Sequence, residues 1–428
     1  MKPRFFLAVG LPLLVVACGG GGQSNTGGSG GTGTSSASSG SGGAPTSSSS
    51  TTSSSGSSTT SSSASSTTSS SGTGGAPASG KWVSGYYVGY QQNLYPPSAI
   101  DWSGLTHLMI GRAVPRTDGT LDTTFDIDAT NGPALAKQLA SLAHQHGRKA
   151  VVMLGGAGEH AKWVSAASAA HRAAFVQNLK ALAEDYGFDG FDLDWEPIEA
   201  ADQPDFKALA QDMRAAMPST ILTVPVGWVN ANFPDVDALY GEVAPLFDQI
   251  NIMSYSMAGP WDGWQSWHSS ALYGGGGNTP SSVDSSVAAY LAAGVPAAKL
   301  GVGIGFYGSC WSPPVTAPKS AIGSSQIIAD DNIMTFANIM SAYYSAADRK
   351  WDDAAKAPYL SFSSAHGPQG CTFVSYEDEE SILEKGKYVA QKGLGGAIVW
   401  TINEGHRADQ PAAQQDPLMK ALAQGFLQ

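Results

Sequence analysis

The sequence predicts an α/β fold, an eight-stranded (β/α)8 barrel with a small α+β insertion between its seventh and eighth strands, and three observations lead there. From residue 83 onward short apolar runs with strand character alternate with segments of helical apolar spacing, the pattern of a parallel sheet with crossover helices. One strand, 188–196, interleaves acids with large apolar residues, which suits a sheet whose second face is closed off from bulk solvent. The folded part, 81–428, has the length of one barrel of about 250 residues plus an insertion.

The start of the chain is read separately. Lys2 and Arg4 precede the apolar run 5–17, too short to span a bilayer and of the length expected for the core of an export signal. Val15-Val16-Ala17-Cys18 resembles the lipobox of bacterial lipoproteins, which implies acylation of Cys18 once residues 1–18 have been processed. The expected location is the bacterial cell envelope, at the outer membrane and exposed on the surface, with plain secretion as the alternative; the lipid would be the only membrane contact. Residues 19–80 are almost wholly Gly, Ser and Thr without a charged side chain, so they cannot bury enough apolar surface to fold. As a flexible coil they would span roughly 45 Å.

Removing Lys2 and Arg4 from the 23 basic residues leaves 21 against 35 acidic ones, a net charge of −14 on residues 81–428. That balance argues against nucleic acid as a partner. With Cys18 acylated, Cys310 and Cys371 remain as an even pair in an exported protein and are expected to form a disulfide.

The strands are expected at 83–90, 105–112, 148–154, 188–196, 220–227, 249–256, 299–306 and 395–401. Between them 133–146, 169–186 and 205–217 have helical apolar spacing, the first two closed by Gly147 and Gly187 in the manner of left-handed caps, and 417–427 reads as a last helix. His144 and His146, two apart on a helix, face different ways and read as a cationic helix end rather than as metal ligands. Almost ninety residues separate the last two strands, about twice the other spacings, so an insertion is placed at about 308–390.

The fourth strand carries the chemistry. Alternation puts Asp192, Asp194 and Glu196 on one face and Phe191, Leu193 and Trp195 on the other. Acids two residues apart lie roughly 6.5 Å from one another along a strand. Repulsion and partial burial should then keep one of them protonated near neutral pH, and Glu196, at the carboxyl end, is the expected holder. A protonated carboxyl at the mouth of a barrel is what general-acid cleavage of a glycosidic bond requires.

Asp189-Gly190-Phe191-Asp192-Leu193-Asp194-Trp195-Glu196 resembles the D-G-x-D-x-D-x-E signature of glycoside hydrolase family 18, the chitinases and their relatives, and a bacterial chitinase is the expected member. The resemblance implies a substrate-assisted retaining hydrolysis of β-1,4 bonds between N-acetylglucosamine units, with no cofactor and no metal. In it Glu196 is the acid and base, Asp194 orients the substrate acetamide, Asp192 tunes Asp194, and Tyr255 steadies the acetamide oxygen. It further implies sugar contacts at Tyr86, Gly155, Gly156, Met253, Trp261 and Trp400, the last as the floor of the central sugar site. All eleven Trp lie in the folded part, which suits platforms for sugar rings.

Four positions depart from the family pattern. Arg112 stands where an aromatic residue is common, and Met153 replaces the Ser that supports the outer Asp. Ser256 replaces the Asp of M-x-Y-D, which implies an altered pH optimum or slower turnover, and Ser309 replaces a sugar-contacting Arg. Two other readings stay open at this point: an endo-β-N-acetylglucosaminidase acting on N-glycans, and a lectin that holds chitin without cleaving it. The partner expected in each case is an oligosaccharide or polysaccharide, bound by a monomer.

Overall fold

A computed structural model describes residues 80–428. The expected export signal, Cys18 and the linker up to residue 79 lie outside the described residues. Eight parallel strands close a barrel: β1 (Trp82–Val88), β2 (His107–Pro115), β3 (Lys149–Gly155), β4 (Gly190–Asp194), β5 (Ile221–Gly227), β6 (Gln249–Met253), β7 (Leu300–Gly305) and β8 (Gly396–Trp400). They neighbour one another in sequence order, β8 lies beside β1, and the β1–β2 pairing leaves no open edge.

Two strands end earlier than the alternation suggests. β4 stops at Asp194, where the chain turns so that Trp195 N–H reaches Leu193 O at 3.1 Å, and Pro197 cannot donate to a ladder. β6 stops at Met253 because Ser254 turns back on Ile252, its hydroxyl accepting from Gly303 N–H at 2.8 Å. Glu196, Tyr255 and Ser256 therefore sit in the loops above the strands, where side chains can converge over the barrel mouth.

The register decides what faces inward. Asp192 lies opposite Met153 on one side and Thr223 on the other, and Asp194 lies opposite Gly155. Tyr86, Met109, Val151, Met153 and Ile398 pack together beneath them. On the outer face Phe191, Leu193 and Trp195 are buried against the helices; Trp195 stacks on Trp163 at 5.4 Å and meets the edge of Phe206 at 6.1 Å. β7 puts Gly301, Gly303 and Gly305 on one face. A Cβ on Gly303 would lie 2.6 Å from Ser254 N and 2.9 Å from a Tyr255 ring carbon, so glycine is what lets the β6 exit approach so closely.

The helical expectations hold with small shifts in bounds: Asn131–Gln145, Arg172–Tyr186 and Gln203–Ala216. Gly187 ends the second of these with a left-handed cap. His144 bonds Asp189 at 2.7 Å and His146 stacks on Trp102 at 4.9 Å. Helix Val283–Ala292 starts on a Ser282/Ser285 capping box and helix Glu379–Lys392 on an Asp378/Ser381 box. Between β7 and β8 lies a five-stranded antiparallel sheet, ordered Ile327–Ala329, Ser309–Trp311, Cys371–Ser375, Ala357–His366, Arg349–Asp352. A disulfide joins Cys310 to Cys371 across two neighbouring strands of that sheet, with Cα atoms 5.2 Å apart.

The bridge closes a loop over a sequence separation of 61 residues. On loop-closure entropy alone it restricts the unfolded chain by roughly 4 kcal/mol. Replacing both cysteines by serine is expected to lower the unfolding free energy by a comparable amount in denaturant titrations; a change under about 1 kcal/mol contradicts that contribution.

Candidate active site

The acid row is built from β4 outward. Asp192 is fully buried, and both its carboxyl oxygens are held: the Tyr86 hydroxyl donates to one at 2.7 Å and the Thr223 hydroxyl to the other. Burial pushes its pKa up to about 6, and the two hydroxyl donors work against that rise by favouring the anion. Thr223 therefore takes the supporting role left open by Met153, whose side chain packs against apolar neighbours instead. Thr223 is inward-facing and opposite Asp192 only by virtue of the β4–β5 register.

Asp194, 4% exposed, is placed differently. Its Oδ1 is buried and no N–H or O–H donor reaches it. A buried carboxyl oxygen without a donor is satisfied when it carries the proton itself. Burial first, then the charges of Glu196 and Asp192, raise the Asp194 pKa well above the carboxylate range. Asp194 is thus the carboxyl that desolvation drives toward the neutral form, while Glu196 lies past the strand end and is only half-buried.

A cleft of about 540 Å³ opens above these acids. Asp194, Glu196, Met253, Tyr255 and Trp400 line it, together with Gly156, Arg112 and Tyr90. The Tyr255 hydroxyl is kept protonated by burial and by its acidic and phenolic neighbours, Tyr307, Asp194 and Glu196 among them. Trp400 lies across Tyr86 with ring centroids 5.3 Å apart, and its Nε1 donates to Asp331 Oδ1 at 3.2 Å. Gly156 adopts φ 102° and Gly155 φ 86°; a Cβ on Gly155 would lie 2.1 Å from the Trp163 indole nitrogen, so the turn after β3 admits only glycine there. Tyr86, 1% exposed, lines the cleft and holds Asp192 below it through its hydroxyl.

Other sequence-predicted positions fall elsewhere. Trp261 does not line this cleft; it lines a second groove with Pro260, Asp262 and Trp264, and its ring lies 6.2 Å from that of Trp228. Trp102, Trp163, Trp195, Trp267 and Trp311 are core residues, unavailable as platforms. Arg112 donates to Gly155 O at 2.7 Å and pairs with Asp126 at 3.0 Å, bracing the loop after β3. Ser256 shares a 2.7 Å hydrogen bond with the Tyr307 hydroxyl, and the Ser309 hydroxyl is buried without a partner. Asp331, Glu404 and Gln91, which no motif flagged, meet beside Trp400.

Among the described residues one grouping has metal-ligating composition: His160, Glu199 and Asp202, with ligand atoms within 4.8 Å of one another. His160 Nε2 and Asp202 Oδ2 lie 2.8 Å apart, and the same oxygen accepts from Glu199 N–H at 2.8 Å. These bonds occupy Asp202 in joining two loops, and the acid row does not draw on it.

The profile of Glycosyl hydrolases family 18 matches residues 83–405. Chitinase 1 of Aphanocladium album is 28% identical over 340 residues, covering 72% of this chain and 77% of that protein. Chitinase B of Serratia marcescens is 29% identical over 326 residues, covering 61% of this chain and 64% of that protein. The crystal structure of the Group IV chitinase of Ostrinia furnacalis in complex with allosamidin superposes with a TM-score of 0.66 at 26% identity, over 81% of this chain and all of that one. Relatives from fungi, bacteria and animals all appear, so the similarity points to the family rather than to a bacterial branch of it. With the acid row and the closed barrel on the same residues that the profile matches, the chain belongs to glycosyl hydrolases family 18.

Proposed function

We propose that the protein is a chitinase that hydrolyses β-1,4 bonds between N-acetylglucosamine units with the substrate's own acetamide as nucleophile. The observation that carries this reading is the convergence of Asp194, Glu196, Tyr255 and Trp400 on one cleft, with Asp194 the buried carboxyl of the row. Of the two carboxyls, Asp194 holds a proton and Glu196 is its acceptor.

Passage of that proton from Asp194 to Glu196 loads the general acid and leaves Asp194 as an anion facing the acetamide N–H. The acetamide oxygen attacks the anomeric carbon as the glycosidic bond breaks, and Glu196 delivers its proton to the departing sugar oxygen. The cationic ring so formed is paired with the Asp194 carboxylate, while Tyr255 O–H donates to the acetamide oxygen. Water then adds at the anomeric carbon and gives a proton to Glu196, which opens the ring and returns the original configuration. Asp192, held by Tyr86 and Thr223, supplies the neighbouring charge that keeps Asp194 high until the substrate's own cation offsets it.

Sequence alone supports two further parts of the reading. The lipobox-like stretch ending at Cys18 would tether the enzyme to the bacterial envelope by a lipid, with residues 19–80 as spacer, and the chain is read as a monomer. An expressed Cys18→Ala variant is expected in the soluble fraction where the parent sediments with membranes; equal partitioning contradicts the anchor.

For the chemistry, Glu196→Gln is expected to lose at least ~100-fold in kcat on soluble chitooligosaccharides. Retained turnover would remove Glu196 from its role, tight binding without product in the parent would favour a lectin, and release of the core from a glycoprotein in preference to chitin would favour the N-glycan reading. Thr223→Val removes a donor that stabilises the Asp192 anion, so the titration at about 6 moves upward. The acidic limb of kcat/KM is expected to shift to higher pH by about one unit; a limb that stays or moves down contradicts the assignment of Asp192.

A further inference from the structure

The mechanism above leaves a second group of acids unused, the buried Glu404 and the partly exposed Asp331. Glu404 lies in the turn Ile402–Gly405 that follows β8 and is completely buried. Gln91 Nε2 donates to its Oε1 at 2.8 Å, whereas its Oε2 is buried and no N–H or O–H donor reaches it. The charged neighbour that bears most on Glu404 is the Asp331 carboxyl, brought in by the insertion on the single turn Asp331–Ile333. As with Asp194, the orphaned oxygen is satisfied when it carries a proton and donates to the neighbouring carboxylate.

Asp331 has a second contact. Its Oδ1 accepts from Trp400 Nε1 at 3.2 Å, the indole that lines the cleft. Its backbone is held at φ 30°, a region that non-glycine residues seldom enter unless their surroundings fix them there. Gln91 supplies such a surrounding: it donates to Asn332 Oδ1 at 2.8 Å next to Asp331, and its own oxygen accepts from Thr401 Oγ1 at 2.6 Å next to Trp400. The turn of the insertion and the exit of β8 are thus stitched together at Trp400.

We propose that Asp331 and Glu404 act as a positioning pair that shares one proton and so holds the Trp400 indole at the floor of the cleft, making the insertion a determinant of substrate binding. The inference rests on the chitinase reading for the role given to Trp400, and on the geometry alone for the pair itself. Burial and the Asp331 charge raise Glu404 to about 9, and burial raises Asp331 to about 6. Between those values Asp331 is the anion that accepts from both Trp400 and Glu404. Above the upper one both carboxyls are charged. The titratable groups facing the pair are Asp330, Tyr90, Tyr255 and Tyr307, all of them acids, so the second negative charge meets no compensating cation among them and the pair separates.

The test uses the purified protein in two arms. In the first, without sugar, the Trp400 indole N–H resonance, identified by its loss in Trp400→Phe, is followed from about pH 7 to about pH 10. A shift with a midpoint near about 9 is expected, and its absence in Glu404→Gln, whose amide still donates to Asp331 but cannot ionise. In the second arm, on soluble chitooligosaccharides, KM of the parent is expected to rise about tenfold over the same range with kcat changing less, and Glu404→Gln to show no such rise. Asp331→Asn, at a partly exposed position, is expected to raise KM about tenfold already at neutral pH. An indole titration that persists in Glu404→Gln, or an Asp331→Asn variant with the KM of the parent, overturns the pair. If the parent cleaves no chitooligosaccharide, the chitinase reading fails, while the sugar-free titration still decides whether the pair holds Trp400.

Discussion

Stacking carboxyl groups inside a closed barrel is the constraint on which this molecule turns. Asp192 is fully buried and Asp194 nearly so, which leaves two full charges poorly solvated, and the outer strand faces are packed against helices, so the strand cannot rotate its acids away. The structure resolves the conflict in two ways. Asp192 is stabilised as an anion by two hydroxyl donors, whereas Asp194 lacks a donor on one oxygen and takes a proton. The resulting asymmetry sets Asp194 beside Glu196, the least buried member of the row.

The scaffold serves that asymmetry through register and through the absence of side chains at chosen points. Glycine on the inward face of β7 lets the β6 exit turn close to the strand, which sets Tyr255 over the acids. The glycines after β3 allow a tight turn beside Asp194 and leave room for the Trp163 indole, whose N–H bonds Asp194 O at 2.9 Å. Trp195, the apolar neighbour of Glu196, is fixed by stacking on the same Trp163. The backbone that carries Glu196, the general acid of the proposed mechanism, is therefore located by core packing, while its side chain lines the cleft.

The insertion is more than a wall. Its disulfide-linked sheet packs its own core from Trp311, Phe373 and neighbours, and its turn at Asp331 comes back to the barrel at Trp400. The barrel mouth thus holds two groups of neighbouring acids, one along β4 and one beside Trp400, and in each a buried carboxyl oxygen has no donor.

The eight strands, the helix ends at Gly187 and near Gly147, the place of the insertion and the spacing of Asp192, Asp194 and Glu196 were legible in the chain, because each follows from local periodicity or from a conformation only one residue type adopts readily. How deeply each acid is buried was not legible: alternation placed the three carboxyls on one face, but depth below the barrel mouth depends on where β4 ends, which is before Glu196. Thr223 was hidden for a related reason, since a threonine thirty-one positions from Asp192 becomes its donor only through the strand register. Trp261 carried a motif yet lines a different groove, and Asp331 and Glu404 carried none yet meet at Trp400. Sequence determined the groups and their order along the chain; tertiary structure decided how deeply each is buried and which side chains meet, because strand register and loop return bring groups such as Thr223 and Asp192, or Asp331 and Trp400, within reach of each other.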